Sequence, residues 1–236
     1  MKRESTKIDK EFYNSSSYFD QEKKIFTNLN NPLQKYRISK VLQIYTPNKS
    51  QKVLDLGCGW GTFCFALAPL CKEITGLDIS KKSIKLCQKL LTQYKKYNNV
   101  KFICRDASNT KLDSDSYDVI ICADLIEHLY PKVFEKVLDE SRRVLRKGGK
   151  LIIWTPHGGH FLEILKNHNI ILKKDISHVD YKSMKQISEA LIQRGFLIKK
   201  NYYTESHIPL LRNLERILLH FFPIMRRRIA ILAIKN

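Results

Sequence analysis

No apolar run in this 236-residue sequence stays uncharged for the ~20 positions that a membrane span needs. The opening stretch, "MKRESTKIDKEF", lacks the apolar core of a signal peptide. The six cysteines (Cys58, Cys64, Cys71, Cys87, Cys104 and Cys122) form no CxxC pair and no metal-finger spacing. Most sit in apolar segments, where a free thiol behaves as a small hydrophobe. Internal repeats and low-complexity linkers are missing as well. These absences argue against a spanning or disulfide-built protein. They predict one soluble domain in a reducing, cytoplasmic compartment, at most peripheral to the inner face of a membrane.

Acid is scarce too. Against 42 Lys and Arg stand 23 Asp and Glu, giving a formal charge of +19. Such an excess suits an anionic partner, whether nucleic acid, a membrane surface or an acidic metabolite. The basic residues are spread along the whole chain, however, as a Lys-rich composition alone would place them. Hydrophobic residues make up 43% of the sequence, enough for a real core and too many for a disordered chain.

Residues 1–50 read as helical and aromatic-rich, a cap of their own. From position 52 strands and helices alternate: "KVLDL", "EITGLDIS", "VKFICRD", "YDVIICAD" and "GGKLIIWTP" as strands, with helices between most of them. The fourth and fifth are apolar along nearly their whole length, as strands covered on both faces must be. This pattern predicts an α/β fold, a parallel sheet with helices on both faces. Near the end "LIKKNYYT" and "RRRIAILAIKN" read as two further strands in a hairpin-like, antiparallel ending. Between them lies an apolar helical insert at about 206–225.

The first chemical statement is "VLDLGCGWGTF", with Gly57, Gly59 and Gly61 at every second position behind a strand that carries Asp55. A pyrophosphate site wants G-x-G-x-x-G on a helix N-terminus. Here the spacing is G-x-G-x-G and a carboxylate precedes it, which repels phosphate but not a cationic ligand. Asp78 closes the second strand, where a carboxylate can accept both hydroxyls of a ribose. Asp106 follows the third strand, within reach of a purine amino group, and Asp124 follows the fourth. Any one of these acids can be only a helix cap. Jointly they call for a ribose, an adenine and a positively charged, phosphate-free remainder, which S-adenosylmethionine supplies.

With these residues in place, the chain resembles the seven-strand, Rossmann-like S-adenosylmethionine-dependent methyltransferases over nearly all of residues 12–205. Within them it is most similar to the O-methyltransferases of ubiquinone biosynthesis. The likeness rests on "YFD" (18–20), "NPLQKYRI" (31–38), "VLDLGCGWG" (53–61), "GLDIS" (76–80), "DLIEHL" (124–129) and "LRKGGKL" (145–151). It implies a doubly wound, mainly parallel seven-stranded sheet of order 3-2-1-4-5-7-6 whose last strand is antiparallel. It also implies residues 1–50 as a helical cap over the cofactor site and 51–236 as the methyltransferase domain. Gly57, Cys58 and Gly59 would lie against the methionine part and Asp55 would hold its ammonium through the loop. Asp78 would take the ribose, Ile79 the adenine face, and Asp106 with Ala107 the adenine edge. Where the family carries an Arg for the cofactor carboxylate, this chain has Gln34. Arg37, one turn later on the same helix face, is the substitute.

On the acceptor side the candidates are Glu127, His128 and His157, with His160 and His178 nearby. A base near a hydroxyl acceptor is worth ~10²–10⁴-fold. By the resemblance, Asp124, Glu127 and His128 form a set able to hold a divalent ion, yet Glu-His after this strand also occurs in the family without metal. No metal ligand is assigned, and His128 is read first as a base. The Asn/Asp-Pro-Pro-aromatic loop of enzymes that methylate base amino groups is absent, so nucleic acid is not the expected acceptor. The expectation is methyl transfer to oxygen of a small or lipid-linked acceptor. Two rival readings are an RNA-directed methyltransferase, motivated by charge, and a non-catalytic cofactor-binding scaffold. In the insert, Leu210, Leu211, Leu214, Ile217, Leu218, Phe221 and Phe222 repeat at helical spacing, opposite Arg212, Glu215 and Arg216, with Arg226 to Arg228 behind. This stripe reads as packed on the sheet or in a homodimer, or else as a peripheral membrane contact through 208–228, with the three arginines at the headgroups.

Overall fold

Short apolar runs that end at glycine or acid become the strands of one sheet. The computed structural model describes residues 8–15, 27–94, 97–170 and 173–236. In chain order the elements are α1 (Lys10–Asn14), α2 (Pro32–Ile44), β1 (Lys52–Leu56), α3 (Thr62–Leu67), β2 (Glu73–Asp78), α4 (Lys81–Gln93), β3 (Val100–Cys104) and β4 (Tyr117–Ala123). There follow α5 (Pro131–Val144), β5 (Leu145–Pro156), α6 (Phe161–Asn167), α7 (Met184–Gln193), β6 (Phe196–Thr204), α8 (Pro209–Leu218) and β7 (Arg228–Lys235). Part of the aromatic N-terminal stretch, including "YFD" at 18–20, lies outside the described residues.

The seven strands run in the order β3-β2-β1-β4-β5-β7-β6. The first five are parallel to their neighbours. β7 is antiparallel to both β5 and β6. This is the expected sheet, with its expected reversed last strand.

Period-two alternation divides the core between the faces. Val53, Ile74, Val119, Ile121 and Trp154 pack with Ile44, Phe63, Phe65 and Ile84 of α2, α3 and α4. Leu54, Leu56, Ile120, Leu151 and Ile153 pack with Phe134, Leu138, Ile187 and Leu191 of α5 and α7. Burying each such side chain contributes roughly 1.5–3 kcal/mol, so the sheet edges that carry the loops stand on a stiff base.

Helix starts are written locally. Asn31 accepts the Leu33 amide ahead of α2, with Pro32 in the first turn. Ser80 caps α4 through Ser83 N, and Ser183 with Gln186 closes a capping box on α7. The cap of α4 is thus Ser80 and not Asp78, which leaves the Asp78 carboxylate for another purpose.

In the insert, the direction of the stripe differs from the packed reading. Glu215 of α8, placed by its spacing on the polar side, is fully buried. Leu210, Leu214, Ile217, Phe221 and Phe222 are exposed in the chain. The reason is a polar anchor. Glu215 Oε1 meets His160 Nε2 at 2.9 Å, and its other oxygen accepts the Ser206 amide. The arginines behind the insert are also not as expected. Arg227 is buried in an ion pair with Glu163, and Arg228 pairs with Asp124. Neither is placed to meet lipid headgroups.

Candidate active site

The carboxyl ends of β1, β2 and β4 open onto a cavity of about 560 Å³. Gly57, Cys58 and Gly59 form one wall, and Asp78, Ile79, Asp106 and Ala107 a second. Arg37, Asp124, His128 and Tyr130 line it as well, as do Asp9 to Glu11 and Tyr13 from the N-terminal segment. A helix starting at Lys10 reaches this position because Ser80 Oγ donates to Tyr13 O at 3.1 Å and Lys82 N to Asn14 Oδ1 at 3.2 Å.

The glycine turn is shaped to let something approach. Gly57 and Gly59 have φ of +71° and +51°, a region that side chains rarely adopt. A Cβ on Gly57 would strike Leu125 Cδ1 at 2.8 Å, whereas one on Gly59 would meet nothing within 4 Å. Packing does not demand glycine at position 59. The backbone angle and the open space beside the cavity do.

Asp78 ties this turn to β2. Gly59 N donates to its Oδ2 at 2.9 Å and Ser80 N to its Oδ1 at 2.8 Å. Burial lifts the Asp78 pKa above the usual carboxylate range, and the two amides pull against that shift. A carboxylate offers about four acceptor positions, so each oxygen keeps room for another donor. Asp106 lies two residues beyond β3, where its Oδ1 accepts Ser108 N and Oγ at 2.7 and 2.8 Å.

Asp124 joins the two sides of the cavity floor. Its φ of +53° turns the chain out of β4. Arg37 Nε donates to Oδ2 at 2.8 Å and Nη2 lies 2.6 Å from the same oxygen. Arg228 pairs with Oδ1 and stacks on the Trp154 ring at 4.1 Å. Burial would raise the Asp124 pKa, but Arg228 and Arg37 outweigh it and hold the carboxyl at about 2. Arg37 and Arg228 thus hold the Asp124 carboxylate between them. Gln34 Oε1 accepts from Arg37 Nη1 at 2.7 Å, so the residue in the expected arginine's place holds the substitute in position.

Several sequence candidates stand elsewhere. Asp55 lies inside β1, is 1% exposed and does not line the cavity. It accepts from Cys64 Sγ at 3.4 Å, and burial raises its pKa to about 7. Glu127 is buried, accepts Thr155 Oγ1 at 2.9 Å and also stays off the cavity wall; burial raises its pKa. His157 donates from Nδ1 to Arg226 O at 2.9 Å and leans on Tyr203. It too lies away from the cavity. His160 caps α6 through Leu162 N and anchors Glu215.

His128 does line the cavity. Its Nδ1 faces Ser177 O at 3.0 Å, and a carbonyl only accepts, so Nδ1 carries the hydrogen. The neutral ring then has its lone pair at Nε2. His178 stacks edge-on at 4.9 Å and continues through Tyr181 OH at 2.7 Å to Glu163 Oε2 at 2.8 Å. Burial first, then the neighbouring His128, pushes the His178 pKa down to about 4. Glu127, His128 and His178 each offer one ligand atom, all within 4.8 Å of one another, a set able to hold a divalent cation. Asp124, taken up by two arginines, is not part of it. Arg228, which holds the cavity residue Asp124, is the residue that spacing misassigned. Its signal was its place at the start of a reversed strand, which begins at the ligand edge.

A family model described as "Methyltransferase domain" matches residues 47–206. The ubiquinone biosynthesis O-methyltransferase of Coxiella burnetii is 30% identical over 107 residues, 45% of this chain and 44% of that protein. The phthiotriol/phenolphthiotriol dimycocerosates methyltransferase of Mycobacterium leprae is 37% identical over 105 residues, 43% and 36% of the two chains. In both cases the match spans less than half of the relative's length. Among solved structures, magnesium protoporphyrin IX methyltransferase from Synechocystis PCC 6803, with bound S-adenosylhomocysteine, aligns with a TM-score of 0.70 at 19% identity, over 96% of this chain and 98% of that one.

Proposed function

Because the chain belongs to the class I S-adenosylmethionine-dependent methyltransferases, we propose that it transfers the methyl group of that cofactor to an oxygen of a small or lipid-linked acceptor. The observation that carries this reading is the shared wall of one cavity, where Asp78, the Gly57–Gly59 turn, the Arg37–Asp124 pair and His128 meet.

S-adenosylmethionine supplies an electrophilic methyl on a sulfonium sulfur. The chain supplies position. Arg37, held by Asp124 and Gln34 at the cavity wall, would take the carboxylate of the methionine part. Asp78 accepts the ribose hydroxyls on the lone pairs that Gly59 N and Ser80 N leave open. Ile79 covers the adenine face, while Asp106 and the Ala107 backbone read its edge. Gly59 leaves the space that the methionine part fills. Asp55 acts from beneath, by fixing the strand end through Cys64, and Glu127 by holding the loop that carries His128. S-adenosylmethionine would supply the methyl by in-line displacement from sulfur to the acceptor oxygen, and His128 Nε2 would take the acceptor hydroxyl proton, leaving the ring as imidazolium.

The test is incubation with methyl-labelled S-adenosylmethionine and a panel of hydroxylated aromatic and lipid-linked acceptors, followed by mass spectrometry. Label on oxygen supports the reading; label only on RNA or on nitrogen sinks it. His128→Ala should lower turnover by ~10²–10⁴-fold with little change in affinity for S-adenosylhomocysteine.

The Glu127–His128–His178 cluster supports a second reading, in which His128 is a ligand of a divalent ion that polarises the acceptor oxygen. Activity abolished by EDTA and restored by a divalent cation would favour it. Activity indifferent to chelation leaves the base.

A further inference from the structure

We infer that the β6–β7 connection, residues 208–224, is a docking surface for an anionic bilayer that seats the mouth of the cavity on lipid. Three observations carry this. The first is orientation. α8 turns its apolar side outward: Leu210 is 87% exposed, Ile217 64% and Phe221 74%. Residues 210, 214, 217 and 221 follow the spacing of one helix face. Solvent-facing apolar patches of this kind on a folded chain mark a contact surface. The outward rotation is fixed by the buried Glu215, held between His160 Nε2 and the Ser206 amide. A helix whose carboxylate is anchored inside cannot roll over to bury its leucines.

The second observation is charge. Residues 207–226 contain one carboxylate, Glu215, which is fully buried, against Arg212, Arg216 and Arg226. The Arg216 side chain remains 63% exposed. Arg216 also reaches the buried Glu205 at 3.3 Å, and Arg226 is half-buried against Tyr203, so the exposed cationic contribution comes chiefly from Arg216. An apolar face with that charge and no exposed acid suits an anionic lipid surface. A second copy of the chain is the competing occupant, and the oligomeric state of the triple variant below separates the two.

The third is position. β6 ends at Thr204 and β7 begins at Arg228, so their connection rises from the same sheet edge as the cavity. Arg228 pairs directly with the cavity residue Asp124. A bilayer against α8 therefore lies beside the mouth, where a lipid-linked acceptor would arrive.

Docking rests on the proposed activity only for its purpose, and its test uses neither substrate. The full chain is sedimented with vesicles of phosphatidylcholine alone and of phosphatidylcholine mixed with phosphatidylglycerol. Binding should need the anionic lipid and fade in 1 M salt, where the screening length is ~3 Å. Leu210→Gln, Ile217→Gln and Phe221→Gln together should lower the bound fraction roughly ten-fold or more. The thermal midpoint and the affinity for S-adenosylhomocysteine should stay as in the wild type, because these side chains face solvent. Arg216→Gln alone should weaken binding several-fold at low salt and not at high. A wild type that ignores anionic vesicles at low salt overturns the inference. So does a triple variant that binds as well as the wild type, or a wild-type dimer that the triple change splits. Loss of cofactor binding by the wild type would instead strike at the methyltransferase reading.

Discussion

Arg37 grips Asp124 through both Nε, at 2.8 Å, and Nη2, at 2.6 Å, on a single carboxylate oxygen. The remaining guanidinium nitrogen, Nη1, goes to Gln34. Replacing Arg37 by Ala should weaken S-adenosylhomocysteine binding by about 1.5–3 kcal/mol, the range for hydrogen bonds to charged groups. Adenosine, which has no carboxylate, should bind wild type and variant alike. Calorimetry with both ligands checks this, and an equal loss for the two would make Arg37 a support of the loop alone.

Gly59→Ala separates backbone strain from crowding of the ligand. The new methyl meets no protein atom within 4 Å, but the residue must hold a φ of +51°. The expected stability loss is ~1–2 kcal/mol, the cost of a left-handed residue. Affinity for S-adenosylhomocysteine should fall further, because the methyl enters the space beside the turn. Urea unfolding paired with ligand titration distinguishes the two effects.

Asp55 sets a pH dependence of stability. Its folded pKa of about 7 lies above its ordinary value of 3.8, so the native state binds the proton more tightly than the unfolded chain. Its contribution is therefore fully present below about pH 4 and is lost as pH rises toward 7. Asp55→Asn should be more stable than wild type at pH 8 by up to about 4 kcal/mol, three pKa units at 1.36 kcal/mol each. The two should converge at acid pH. Urea midpoints of both proteins between pH 4 and 8 measure the gap, and a gap that does not change with pH refutes the assignment.

Glu215→Ala leaves the buried His160 and the Ser206 amide without their acceptor. A stability loss of about 2–4 kcal/mol follows, one to two unsatisfied buried groups. Glu215→Gln keeps an acceptor oxygen and should lose less. Limited proteolysis should find its first new cut within 205–227 in the alanine variant.

The half of the cavity built by the glycine turn and the strand-end acids was legible because it is local. Gly57, Gly59, Asp78 and Asp106 sit at the carboxyl ends of strands that the sequence marks by apolar runs, and a parallel sheet brings those ends together without further information. The antiparallel finish was legible from two strands with no crossover helix between them. That Asp55 faces the core and not the cavity was not legible, because strand alternation, which decides the face, changes with a single residue of register. The positions of Glu127 and His157 away from the cavity wall were not legible either, because a short turn after a strand can point a side chain either way. Arg228 and Glu215 were beyond the sequence for another reason. Their partners, Asp124 and His160, lie 104 and 55 positions away, and no local pattern predicts such pairings.

The reversed direction of β7 separates what the fold must keep from what it can change. Gly57–Gly59, Asp78 and Asp106 line the cavity from the loops after β1, β2 and β3, whereas residues 205–227 belong to a hairpin connection whose length neither the sheet nor its register constrains. That segment can be exchanged for another of different size without disturbing a strand pairing, provided Arg228 still reaches Asp124 and the new segment supplies partners for the buried His160 and Glu163. Chimaeras cut at Thr204 and Arg228 would therefore retain one reaction while recruiting it to different surroundings.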